Sequence, residues 1–196
     1  QKCLAAPPGL SIVSVSEKAF EAMKEVTKRP YYNDLLAYKK SGDKPKPETP
    51  YTPAIPLFYA LQEALHIIKE EGMDARIKRH RILSEAVRAA VAELNIEMFP
   101  QLNESSHYSN TISAMKAPAG IEGEDIKNDM RKQGVIIAGG QERLKNKIFR
   151  IGCMGNVTSR DVLSTIQQLE IVLNKRGYID SLGAGIEAAI RVIDRA

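Results

Sequence analysis

The stretch from residue 38 to 53 constrains the fold most. Lys39-Lys40-Ser41-Gly42-Asp43-Lys44-Pro45-Lys46-Pro47 runs on through Pro50 to Pro53. Proline removes a backbone donor and fixes φ, so such a run is expected neither to continue a helix nor to join a sheet. The chain must then fold in pieces on either side of a linker that is extended or mobile.

The pieces differ in period. Leu10-Ser11-Ile12-Val13-Ser14-Val15-Ser16 alternates apolar and hydroxyl residues, which predicts a half-buried strand, and Ser16 is placed to cap a helix from Glu17 to about Lys28. Past the linker, Leu57, Phe58, Leu61, Leu65 and Ile68 keep helical spacing from Thr52-Pro53 until Gly72. Asp74 is placed to cap a second long helix with Ile77, Leu83, Val87, Val91 and Leu94 as its buried stripe. The two are expected to pack back to back. The remainder alternates in type, with strands near 96–99, 111–116, 135–138 and 147–152, a helix near 122–132, and another from Thr158 to Lys175 opened by the capping box Thr158-Ser159-Arg160-Asp161. Mixed elements of this kind make a two-layer α/β domain. Residues 181–196, with Ile186, Ala189, Ile190 and Ile193 on one side, read as an amphipathic tail helix.

Charge narrows the partners. The surplus of +4 comes from 28 basic against 24 acidic residues spread along the chain, so it is diffuse, and the densest basic stretch, Arg76 to Arg81, lacks interleaved aromatics. Nucleic acid is not an expected partner. No apolar run reaches membrane-spanning length, and no membrane partner is expected. Cys3 and Cys153 are too few and too distant for a disulfide scaffold or a zinc cage, which fits reduced thiols in a cytoplasmic protein and no metal site. An opening at Gln1, without a cap or a polar lead, is expected of a chain that starts inside a longer protein.

Four features can carry chemistry, and each has a plainer alternative. Lys2 precedes the rigid turn Pro7-Pro8-Gly9, which fixes the direction of a nucleophilic amine; lysines near a terminus are more often simply solvated. Arg150 alternates with Phe149 and Ile151 on a strand, so its planar fork faces away from them, suited to a carboxylate or to a solvated sheet face. Thr49 and Thr52 put two hydroxyls three residues apart at a helix start, where a phosphate or an ordinary N-cap fits. Ala138-Gly139-Gly140 ends a strand in a flexible loop or a tight turn.

In order and content these features resemble the alanine–glyoxylate / serine–pyruvate aminotransferases, class V among the fold-type I pyridoxal-phosphate enzymes. Gln1-Lys2-Cys3-Leu4-Ala5-Ala6-Pro7-Pro8-Gly9-Leu10 reproduces the family's segment around its cofactor lysine. Thr52 to Glu63 is similar to its Thr-Pro-x-x-x-Leu-Tyr-Ala-Leu-x-Glu stretch with one additional residue, and Gly139 to Gly152, with Leu144, Lys147 and Arg150, to its Gly-Gly-x-x-x-Leu-x-x-Lys-x-x-Arg-Ile-Gly stretch.

The resemblance implies the C-terminal part of the fold-type I fold: residues 1–37 end a large cofactor-binding domain, 38–53 link, 54–180 hold a connecting helix and the small α/β domain, and 181–196 the tail helix. It implies that Lys2 holds pyridoxal 5'-phosphate and moves protons, that Arg150 binds the substrate carboxylate, and that Gln1, Thr49 and Thr52 contact the cofactor phosphate, the threonines reaching a partner subunit's site in a homodimer. The expected reaction moves an amino group between a small amino acid, of the alanine, serine or aspartate class, and a 2-oxo acid such as glyoxylate or pyruvate. A lyase or desulfurase on the same fold, or a non-catalytic interaction subunit, are the alternatives. Some members have tyrosine where Thr49 stands. The family's phosphate loop, ring-stacking aromatic and pyridine-nitrogen aspartate all precede the lysine, outside this chain.

Overall fold

A computed structural model describes residues 2–195. It divides into two compact units, residues 6–65 and residues 2–5 with 66–195, described in turn.

The first unit holds α1 (Glu17–Lys24), α2 (Leu35–Gly42) and the beginning of α3 (Ile55–Glu71). Ser16 caps α1 as expected, its hydroxyl accepting from the Ala19 amide. The expected strand at residues 10–16 does not form, and Ile12 and Val13 are exposed at 79% and 61%. A strand needs a neighbour for its backbone groups, and no described segment pairs with this one. The linker departs in the other direction. Asp34 accepts a hydrogen bond from the Leu36 amide and nucleates α2, which runs through Lys39 and Lys40 to Gly42 before the prolines take effect.

In the second unit α4 (Met73–Glu93), β1 (Ile112–Lys116), α5 (Gly123–Lys132), β2 (Ala138–Gly139), β3 (Ile148–Gly152), α6 (Ser159–Lys175) and α7 (Ala184–Asp194) follow in order. The strands form one antiparallel sheet, β1-β3-β2, with Arg150 paired to Ala114 on one side and to Ala138 on the other. Alternation puts Ser113, Met115, Phe149 and Ile151 on the buried face. Val87 and Val91 of α4, Ile126 and Met130 of α5, and Ile166, Leu169 and Leu173 of α6 complete the core. This is the two-layer α/β packing expected. Strand content is smaller: residues 96–99 reduce to one bridge, Met98 to Met115, and of 135–138 only Ala138 joins the sheet.

Two helix expectations change. Gly72, at φ 83°, is the N-cap of α4, leaving Asp74 in the first turn, where its charge favours the helix dipole. The buried stripe of α4 begins with Arg76 and His80, while Ile77 is 56% exposed, and that stripe packs against α7, α6 and β1 rather than back to back with α3. The closest of these neighbours is α7: Gly185, Ala188 and Ala189 are buried, and their small side chains admit a long contact with α4. The capping box of α6 forms, with Thr158 and Asp161 bonding reciprocally.

Candidate active site

Lys2 to Leu4 form a single 3-10 turn whose Lys2 carbonyl accepts from the Ala5 amide at 3.0 Å. Lys2 and Ala5 have φ of 57° and 56°, a region that costs residues with a Cβ about 1–2 kcal/mol each, so the turn persists only if its surroundings hold it. The Lys2 side chain is exposed. Gly155, in the loop after β3, lies under the turn: a Cβ there would meet the Ala5 Cβ at 2.9 Å and the Lys2 carbonyl oxygen at 3.2 Å. With φ at 77° as well, only glycine suits the position.

The start of α4 grips both segments. Arg76 donates through one Nη to the Cys3 carbonyl at 2.6 Å and through the other to Glu71 at 2.7 Å. Arg79 donates to the carbonyls of Val157 at 2.6 Å and Gly155 at 3.0 Å, and reaches Glu71 with Nε at 2.6 Å. His80 accepts the Gly155 amide at Nε2 at 3.1 Å, which leaves Nδ1 protonated to donate to the Arg76 carbonyl at 2.8 Å. The hydrogen bond from Arg79, with that from Arg76 and both positive charges, holds the Glu71 carboxyl down to about 2 against burial, so it stays ionised. None of these four residues stood out in the sequence. The only signal was the basic stretch after Arg76, whose period hides that two of its cations and a histidine turn inward.

Arg150 lies on the opposite face of the sheet from the core, between Ala114 and Ala138, whose small side chains leave the guanidinium clear. Its Nε donates to the Gly139 carbonyl at 2.9 Å, and its two Nη groups have no hydrogen-bond partner among the described residues. Gly139 and Gly140 make that anchor possible. A Cβ on Gly139 would meet Glu124 Oε1 at 2.0 Å, and one on Gly140 the Leu144 carbonyl oxygen at 1.9 Å. The pair closes a tight turn, and its packing explains the glycines without a ligand.

Thr49 and Thr52 lie in the other unit. The Thr49 hydroxyl donates to the Tyr51 carbonyl at 2.7 Å; the Thr52 side chain is exposed, and α3 starts at Ile55, so Thr52 is not its N-cap. Gly9, at φ 130°, packs on Leu57 of α3, where a Cβ would come within 2.6 Å of the leucine Cδ1. Gln1 lies outside the described residues. Both cysteines are free thiols, and among the described residues no three His, Cys, Asp or Glu side chains converge as metal ligands. Among the described residues no helix is long and apolar enough to cross a membrane.

Comparison with known proteins places these residues in context. The family model for class-V aminotransferases matches residues 1–163. A protein of Synechococcus sp. named soluble hydrogenase, small subunit, is 44% identical over all of this chain and 50% of its own length. The serine–glyoxylate aminotransferase of Arabidopsis thaliana is 36% identical over 96% of this chain and 47% of its own length. Among solved structures, ureidoglycine–glyoxylate aminotransferase from Bacillus subtilis superposes with a TM-score of 0.89 at 27% identity, over 98% of this chain and 50% of the other. The chain thus spans about half the length of the relatives it matches.

Proposed function

The chain belongs to the class-V aminotransferase family and has the α/β fold of the C-terminal part of a fold-type I enzyme, and from that premise we propose that the full-length protein is a pyridoxal-phosphate-dependent aminotransferase. It moves an amino group between a small amino acid, of the alanine, serine or aspartate class, and a 2-oxo acid such as glyoxylate or pyruvate. The observation that carries the reading is that an exposed lysine on a strained, braced turn and an arginine with an open Nη pair sit in one compact unit, joined by the few residues from Arg150 to Gly155.

The donor set suits the cofactor: an exposed amine for its aldehyde, exposed hydroxyls at Thr49 and Thr52 for its phosphate, and a guanidinium for the substrate carboxylate. When bound, the cofactor supplies an electron sink for bonds at the substrate Cα. Lys2 would hold the cofactor through its exposed amine and, once free of it, would hold and move the proton at the substrate Cα. Arg150 takes the α-carboxylate on its two Nη groups, with Nε tethered to Gly139 so that the fork cannot turn away. Gln1, Thr49 and Thr52 would contact the phosphate, the threonines serving the partner's site in a cytoplasmic homodimer.

The test uses the full-length protein. Borohydride reduction with peptide mapping should place the cofactor on Lys2, and a single turnover with alanine or serine should release the matching 2-oxo acid and leave the cofactor as the amine. Decarboxylation or sulfur release instead would favour the lyase or desulfurase reading. A second reading, a non-catalytic interaction subunit, draws on the printed name of the Synechococcus relative. Absence of any trapped cofactor on Lys2 would decide for it.

A further inference from the structure

The geometry points to Glu71, Arg76, Arg79 and His80 as positioning residues that hold the Lys2 turn and the loop after Arg150 in one relative placement. This rests on the reading of Lys2 and Arg150 given above and names the device that aligns them. Three backbone carbonyls and one amide are gripped: Cys3 by Arg76, Gly155 and Val157 by Arg79, and the Gly155 amide by His80. Glu71 joins the two guanidiniums, so neither arginine can shift without the other. Arg76 is 4% and His80 6% exposed. Buried cations spent on backbone carbonyls are expensive unless fully bonded, and here the bonds run to two loops rather than to the core.

The strained φ values at Lys2 and Ala5 give the grip a purpose. A relaxed turn would swing the lysine Cα–Cβ bond, and a displacement of about 1 Å in a reacting group can cost about a hundredfold in rate. The same cluster fixes Gly155, whose missing Cβ lets the loop meet Ala5 and the Lys2 carbonyl. Positioning therefore passes from α4 to both reacting partners.

The experiment compares three full-length proteins: wild type, Arg76→Lys, and Leu173→Ala, a core variant outside the site that supplies a matched loss of stability. In the cofactor-free proteins, amide exchange at Ala5 and labelling of the Lys2 amine by a lysine-directed reagent are followed. In the loaded proteins, the pH midpoint of the cofactor's visible absorbance, kcat and KM are measured. Arg76→Lys should speed Ala5 exchange about tenfold or more, the weight of one buried charge-assisted hydrogen bond, and should shift the pH midpoint and lower kcat more than it raises KM. Leu173→Ala should change the unfolding temperature only. If the two variants lose stability alike and exchange, labelling and pH midpoint stay at wild-type values, the positioning role is overturned. If the wild type carries no cofactor on Lys2, the functional reading fails, while the exchange and labelling results still decide whether the cluster holds the turn.

Discussion

At the scale of single residues, Arg150 is defined by a division of labour within one side chain. Its Nε is committed to Gly139 and its Nη pair has no partner among the described residues, so the fork is already oriented for the carboxylate proposed above. Lysine keeps the charge but not the tether or the paired donors. Arg150→Lys in the full-length protein should lower kcat/KM for the amino acid about a hundredfold, near 2.7 kcal/mol, while the unfolding midpoint stays within about 0.5 kcal/mol. Steady-state kinetics with denaturant unfolding checks both halves. Glu71 makes a different prediction. Its carboxyl is held at about 2 in the folded protein, by Arg79 first and Arg76 with it, against 4.5 in the unfolded chain. Its contribution is therefore complete above pH 4.5 and is lost as pH falls from 4.5 toward 2. The full shift corresponds to at most about 3 kcal/mol, less for a side chain still partly in water. Glu71→Gln should flatten that part of the stability curve, as measured by urea unfolding at pH 3 and pH 6.

At the scale of elements, local chemistry announced some structures and tertiary context decided others. The Thr158–Asp161 box, the Ser16 cap, the α5 span and β3 with Arg150 opposed to Phe149 and Ile151 were all legible, because a cap or an alternation is complete within four or five residues. The strand at residues 10–16 does not form because pairing is never local, and α2 was not legible because the prolines that disfavour a helix lie just past its end while its start rests on the Asp34 cap alone. Lys2 and Arg150 stood out as candidates; the side chains bonded around the Lys2 turn did not, because charged residues at helical spacing look the same whether they face water or buried carbonyls. α7 carries a similar lesson. Its apolar spacing suggested a tail helix, yet Glu170 of α6, 1% exposed, accepts the Gly183 amide at 2.9 Å and the Gly185 amide at 2.7 Å where α7 begins. A buried carboxylate on the free amides of a helix start anchors that helix. Glu170→Ala should cost about 2–3 kcal/mol in a denaturant melt, with earlier exchange of α7 amides than of α6.

At the scale of the whole chain, the two units are unequal in what they bury. Residues 66–195 enclose a continuous apolar core, from Leu83 through Phe149 to Ala189. Among residues 6–65 only Ser41 and Ala64 are buried, while Ile12, Val13, Tyr31, Tyr32 and Tyr59 are all more than half exposed. Three tyrosines, Tyr31, Tyr32 and Tyr38, gather around Tyr51 there, but rings stacked at a surface do not replace a core. Ordering each residue costs about 1–2 kcal/mol of backbone entropy, and burial must offset it, so residues 6–65 cannot be stable on their own contacts. The chain spans about half the length of its relatives, and the expectation to be tested is that residues 6–65 gain burial in the full-length protein. Trypsin applied to the 196-residue chain should therefore cut first after Lys28 and Lys40 and leave the segment from residue 66 onward intact. In the full-length protein the same two bonds should resist. Mass spectrometry of the early fragments reads both outcomes: equal cleavage on the two sides of residue 65 in the short chain would show that burial within residues 6–65 suffices, and undiminished cutting in the full-length protein would show that nothing covers those residues.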